Sequence, residues 1–122
     1  MSELLTWLRV PPGSTLSVSV EPLDGQFTCT GAVYRYSDSN PPDVTWSDTD
    51  VRPGPKELTL KGATDYVVDL LVQFVGSTKS TAIVHASVTK PDGSPYGRAR
   101  TAELSGRNGN PPDAVTIILI SQ

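Results

Sequence analysis

Residues 65–76 read DYVVDLLVQFVG, and the fold class turns on this stretch. As a helix it gathers Val67, Leu70, Leu71 and Phe74 on one stripe. As a strand it gathers Tyr66, Val68, Leu70, Val72 and Phe74 on one face and turns Asp65, Asp69 and Gln73 to the other. The strand separates charge from apolar surface more cleanly, and β-branched valines lose side-chain freedom in a helix. A strand is therefore predicted.

The same two-residue period continues on either side. TLSVSV (15–20) alternates Leu16, Val18 and Val20 with serines. KELTLKG (56–62) turns Leu58 and Leu60 inward, and STAIVHASVTK (80–90) does so with Ala82, Val84, Ala86 and Val88. In QFTCTGAVYRY (26–36) Phe27 and Cys29 share a face, and then the phase blurs. Either Val33 or the set Ala32, Tyr34 and Tyr36 points inward, and a bulge at Gly31 would explain the change. The turn GSTKS (76–80) predicts a hairpin between the strands on either side of it. After the turn KPDGSPYG (90–97), RARTAEL reads as a weaker strand, and AVTIILIS (114–121) as the last one. LLTWLRV (4–10) suits a strand or a single helical turn, closed either way by Pro11-Pro12.

Asn-Pro-Pro-Asp occurs twice, at 40–43 and 110–113, each time just ahead of a valine and a threonine. Two prolines remove two backbone donors, so the pair cannot lie inside a central strand. Each also drives its predecessor out of the helical region. The motif is predicted to be a stiff, extended lead-in to the next strand, one loop device used twice.

At 122 residues a single domain, 1–122, is expected, long enough to need no disulfide or metal staple. Serine, threonine and valine number 13 each, beside 10 glycines and 11 prolines, a composition of strands and turns. Residues 1–55 carry three basic and seven acidic side chains, and residues 56–122 seven and six. Neither half has a basic footprint, so nucleic acid is not the expected partner. No run of 18 apolar residues marks a membrane span. The first residues lack a basic and then continuously apolar leader, so a cytoplasmic location is expected. Cys29 is the sole cysteine and is expected to be a buried, inert core residue.

These strands predict an all-β chain: a two-layer antiparallel sandwich of about eight strands, with immunoglobulin-like or jelly-roll topology. Cys29, Trp46 and the run LTLKGATDYVV (58–68) resemble the immunoglobulin-like pattern. In that pattern a strand cysteine, a core tryptophan and a Leu-x-Leu strand precede a tyrosine two residues before a second cysteine. Leu58, Leu60, Tyr66 and Val68 take the later places, with Val68 standing where the second cysteine would be. The resemblance implies topology and no activity.

No catalytic residue is expected. His85 is the only histidine, which excludes a two-histidine metal site, and no Gly-x-Ser-x-Gly elbow occurs. On its strand His85 alternates with the inward valines and is expected at the surface. SDSNPPDVTWSDTD (37–50) is rich in aspartate, and Asp43, Asp48 and Asp50 are the candidate oxygen ligands for Ca²⁺, set against ordinary solvated turns. Tyr34, Tyr36, Trp46 and Tyr96, with Asp48 and Asp50, are the candidate glycan-binding set, flat rings for sugar faces beside carboxylates for hydroxyls. The competing reading puts Trp46 in the core. Arg98, Arg100, Arg107 and Lys90 form a local basic group, expected to guard a sheet edge.

The last strand is the most unusual. Val115, Ile117 and Leu119 make one apolar face, while Ile118 and Ile120 put apolar groups on the other. A strand apolar on both faces must be covered on both. Either the N-terminal segment with Leu4, Leu5 and Trp7 covers it, or another subunit does; burying two isoleucines contributes roughly 3–6 kcal/mol. Trp7, Ile118 and Ile120 are the candidate interface. The expected function is a non-enzymatic binding or assembly module that self-associates through this strand. A lectin-like protein with a glycan ligand is the alternative, and a carboxylate-based enzyme ranks third.

Overall fold

The computed structural model describes residues 2–35, 44–47, 55–61 and 64–122. Nine strands are present: β1 (Ser2–Val10), β2 (Thr15–Asp24), β3 (Phe27–Arg35), β4 (Val44–Trp46), β5 (Lys56–Thr59), β6 (Tyr66–Phe74), β7 (Ser80–Thr89), β8 (Arg100–Gly106) and β9 (Asp113–Ser121). They form two sheets. Sheet A runs β1-β9-β6-β3-β4 and sheet B runs β5-β2-β7-β8. Among the described residues no helix is long and apolar enough to cross a membrane.

The strand reading of residues 65–76 holds. Tyr66, Val68, Leu70, Val72 and Phe74 of β6 are all buried, and the residues between them are not. β2, β7 and β9 bury alternate residues in the same way. Valines, leucines and aromatic rings from both sheets meet in one core cluster, including Leu16, Val18, Phe27, Tyr66, Phe74, Ile117 and Leu119. Cys29 lies buried in it.

Four expectations need correction. The strands number nine rather than eight, because VTW after the first Asn-Pro-Pro-Asp forms β4. Three residues are too few to show a period. The GSTKS turn does not make a hairpin: β6 pairs with β3 and β9, whereas β7 pairs with β2 and β8, so the turn carries the chain from one sheet to the other. Both strands bury one face completely, and a crossover lets each face the core from its own side. Nor is the sandwich purely antiparallel, since β1 runs parallel to β9 along the edge of sheet A.

The fourth correction concerns Gly31. The pairing of β3 with β6 is continuous from Phe27 to Arg35, so there is no bulge. Gly31 faces inward with Phe27, Cys29 and Val33, while Ala32 and Tyr34 face outward. The phase blurs in the sequence only because the inward residue has no side chain. A Cβ there would come within 3.0 Å of both the Leu70 side chain and the Trp46 ring.

The second Asn-Pro-Pro-Asp acts as read. Pro111 and Pro112 precede β9, which starts at Asp113, and Asn110 accepts a hydrogen bond from the Arg107 N–H at 2.9 Å. The first copy lies outside the described residues, with β4 starting just after it.

Gly31→Ala should lower unfolding stability by about 1–3 kcal/mol, because Trp46 and Leu70 must move aside. Denaturant titration of the two proteins measures this, and an unchanged midpoint would show that the core has room the packing does not indicate.

Candidate functional site

Strand pairing arranges the outward residues of sheet A in rows. Thr6, Ile118, Val67 and Tyr34 lie side by side on β1, β9, β6 and β3. The next row is Leu4, Thr116, Asp69 and Ala32, continued by Thr45 on β4. Ala114, Leu71 and Thr30 form the third. Leu8 and Ile120 belong to the same outward face. Leu4 is 61% exposed, Leu8 62% and Leu71 49%; these are three of the six large apolar side chains exposed among the described residues. The outward face thus sets apolar side chains, several of them open to water, among threonines, Tyr34 and Asp69. Asp69 sits near its middle, where its carboxylate accepts a hydrogen bond from the Thr116 hydroxyl at 2.9 Å.

Sheet B turns a different chemistry outward. Its rows read Thr59, Thr15 and Thr89; Glu57, Ser17 and Ser87; Ser19, His85 and Thr101; and Glu21, Ile83 and Glu103. An open hollow of about 450 Å³ along this face is lined by Thr15, Ser17, Ser87 and Thr89, with Glu57 and Lys90 at its rim. His85 is on this surface as expected, with its Nε2 2.8 Å from the Glu21 carboxylate. Hydroxyls and carboxylates keep this face wet, and Ile83 is held between two glutamates.

The aromatic candidates separate. Trp46 is buried in the core, as the competing reading had it. Tyr96 is half-buried against the core, and its hydroxyl hydrogen is shared between the backbone carbonyls of Leu8 at 2.6 Å and Arg9 at 2.8 Å. At Arg9 β1 breaks register with β9, and the residue takes a φ of 55°. Non-glycine residues rarely adopt that conformation, so Tyr96 fastens the chain at a strained point. Tyr34 is half-exposed on the apolar face of sheet A. Tyr36, Asp43, Asp48 and Asp50, members of the glycan and Ca²⁺ sets, lie outside the described residues. No group of three or more His, Cys, Asp or Glu that could hold a metal occurs among the described residues.

The interface candidates separate too. Trp7 faces inward and is buried, with the Arg100 guanidinium 5.1 Å from its ring centroid. Its place is between the edges of the two sheets, and Arg100 covers it there through a cation–π contact. Ile118 and Ile120 are on the outward face, half-exposed. β1 does not fold over them. It lies beside β9 and extends their face with Leu4 and Leu8.

That larger face was missed, although a signal for it exists. An apolar doublet in a strand must turn one side chain out. Leu4-Leu5, Val67-Val68, Leu70-Leu71 and Ile117-Ile118 all fall in sheet A, whereas sheet B has Ile83-Val84.

The turn after β7 leads into Tyr96, whose N–H donates to the Val88 carbonyl at 2.8 Å. Asp92 accepts hydrogen bonds from the Ser94 hydroxyl at 2.6 Å and the Ser94 N–H at 2.9 Å, and these hold its carboxyl below the usual range. Tyr96→Phe removes the donor from the Leu8 and Arg9 carbonyls and should cost about 1–2 kcal/mol of stability. Thermal or urea unfolding reads the difference, and a Phe variant as stable as the parent would mean that water replaces the hydroxyl without loss. No family model, curated protein or solved structure matches the chain, so the functional reading rests on this geometry.

Proposed function

We propose that the protein is a non-enzymatic assembly module whose outer sheet A face packs against the same face of a second copy. The observation that carries this reading is the contrast between the two outer surfaces: threonine, serine and glutamate with a single isoleucine in its rows on sheet B, and leucine, isoleucine, valine and alanine interspersed with threonine on sheet A. Large contiguous apolar patches on a protein surface mark contact sites.

The size of the face supports a dimer. Four strands about 4.8 Å apart and nine residues long at about 3.3 Å each cover about 570 Å². Two such faces bury about 1,100 Å², just above the roughly 1,000 Å² of a specific interface. A second copy is favoured over a different partner because the face carries almost no charge pattern for another protein to read. A self-complementary apolar surface suits the isologous contact of a two-fold dimer. The glycan-binding alternative has less support, since packing takes up Trp46 and Tyr96.

The strand order also favours an immunoglobulin-like topology over a jelly roll. β3, β6 and β9 are neighbours in that order, as are the C, F and G strands of such domains; β4 extends that sheet, and β2 pairs with β5 as B does with E. The Tyr66 hydroxyl, at the start of β6, accepts a hydrogen bond from the Lys61 N–H at 3.3 Å, the back-bond of a tyrosine corner. Two departures accompany this. The β7–β8 hairpin lies beside β2, and Cys29 and Trp46 each sit one strand later than the pattern places them.

Sedimentation equilibrium tests the assembly reading. The parent chain should dimerise, Ile118→Lys should be monomeric with its unfolding midpoint little changed, and Ile83→Lys on the opposite face should dimerise like the parent. Dimers that survive Ile118→Lys but not Ile83→Lys would move the interface to sheet B.

A further inference from the structure

We infer that Asp69 makes this association pH-dependent, two copies joining more tightly as the solution is acidified. The inference rests on the assembly reading above and names the regulation of the same face. Asp69 lies in the row Leu4, Thr116, Asp69 and Ala32, between the row of Ile118 and Val67 and the row of Ala114 and Leu71. Among the described residues it is the one charged side chain within these three rows. β9 presents Thr116, Ala114 and Ile118 to it; β3 presents Ala32 and Thr30; β1, one strand further, presents Leu4 and Thr6.

Three other titratable groups of this region stand away from Asp69. Tyr34 is in the Ile118 row on β3, and Asp65 stands at the end of the face, where its carboxylate accepts the Ser121 N–H at 2.8 Å. Arg9 is at the bulge of β1, whose carbonyl Tyr96 holds. None of these outward positions on β9, β6 or β3 supplies a cation beside Asp69.

In the free chain water completes the solvation of the carboxylate, with the Thr116 hydroxyl as one donor. Packing two faces together removes that water, and the described residues of the three rows offer no positive partner. An isologous contact centred on the face also brings up Asp69 of the partner subunit. Desolvation and a like charge both favour the neutral carboxylic acid. The neutral form gains an O–H donor and loses the charge that resists burial. The associated state therefore binds more protons than the separated chains, so association strengthens as pH falls toward the aspartate range.

The test is sedimentation equilibrium of the full chain and of Asp69→Asn at pH 7.5 and pH 5.0. Asparagine keeps the shape and an acceptor for Thr116 while removing the charge. The parent should dimerise about tenfold more tightly at pH 5.0, which corresponds to an average uptake of about 0.4 proton per dimer over the interval, shared between its two Asp69 carboxyls. Asp69→Asn should already have that tighter constant at pH 7.5 and change little between the two. Net charge falls toward zero near the isoelectric point of about 4.9; that loss of general repulsion acts on both proteins alike and is read from the residual change in the variant. A variant no tighter than the parent at pH 7.5, or one that keeps the full acid gain, overturns the inference. Equal dimerisation of the parent at both pH values also overturns it and leaves the assembly reading intact. Monomers of both proteins at both pH values would instead remove the assembly reading itself.

Discussion

The pairing of β6 with β9, in the register that sets Val68 against Ile117 and Val67 against Ile118, is the constraint on which the rest depends. A strand has two faces, and both of these strands carry apolar residues on each. The register gathers one set, with Tyr66, Leu70, Val115 and Leu119, into the core. The same register gathers the other set into a continuous outward surface. A slip of one residue would exchange the two sets and turn Asp69 into the interior. Core and outward face are thus two sides of one pairing, and the buried side fixes where the exposed side must lie.

Sheet B shows how different the outcome is when only one face of each strand is apolar. Its outward rows of threonine, serine and glutamate need nothing to cover them. The two sheets meet at a guarded edge. Arg100 of β8 lies over Trp7 of β1, and Tyr96 reaches across to the carbonyls of Leu8 and Arg9. That stitch matters for the proposed assembly because β1 is the edge of sheet A and brings Leu4 and Leu8 to the outward face. With β1 fixed to the sandwich, the outward face is four strands wide instead of three, the width on which the proposed interface depends.

Alternation made most of the strands readable. Five inward residues in a row on β6, and regular alternation on β2 and β7, leave little choice of structure. What failed to read were features set by partners distant in the chain. Gly31 is small because Trp46 and Leu70 press on it, and neither is near it in sequence. The GSTKS turn looks like a hairpin because turn chemistry is the same whether the chain pairs with itself or crosses to the other sheet. β4 is too short to have a period. Tyr96 looked like a ring platform because an aromatic residue near a turn reads alike whether it faces water or the core; the core reading of Trp46 held. For the site, Ile118 and Ile120 were legible from β9 alone, whereas Leu4, Val67, Leu71 and Asp69 joined them only once the strand order was known.

The chain has four isoleucines, and they report on each surface separately. Ile117 is in the core, Ile118 and Ile120 are on the outward face of sheet A, and Ile83 is on the outward face of sheet B between Glu21 and Glu103. Isoleucine-methyl NMR spectra across a dilution series would follow all four at once. The expected result is that the Ile118 and Ile120 methyl signals move with concentration while those of Ile83 and Ile117 hold still. Movement of Ile83 with Ile118 and Ile120 fixed, or no movement of any signal up to millimolar concentration, would contradict the claim that the second side of β9 exists to meet another copy.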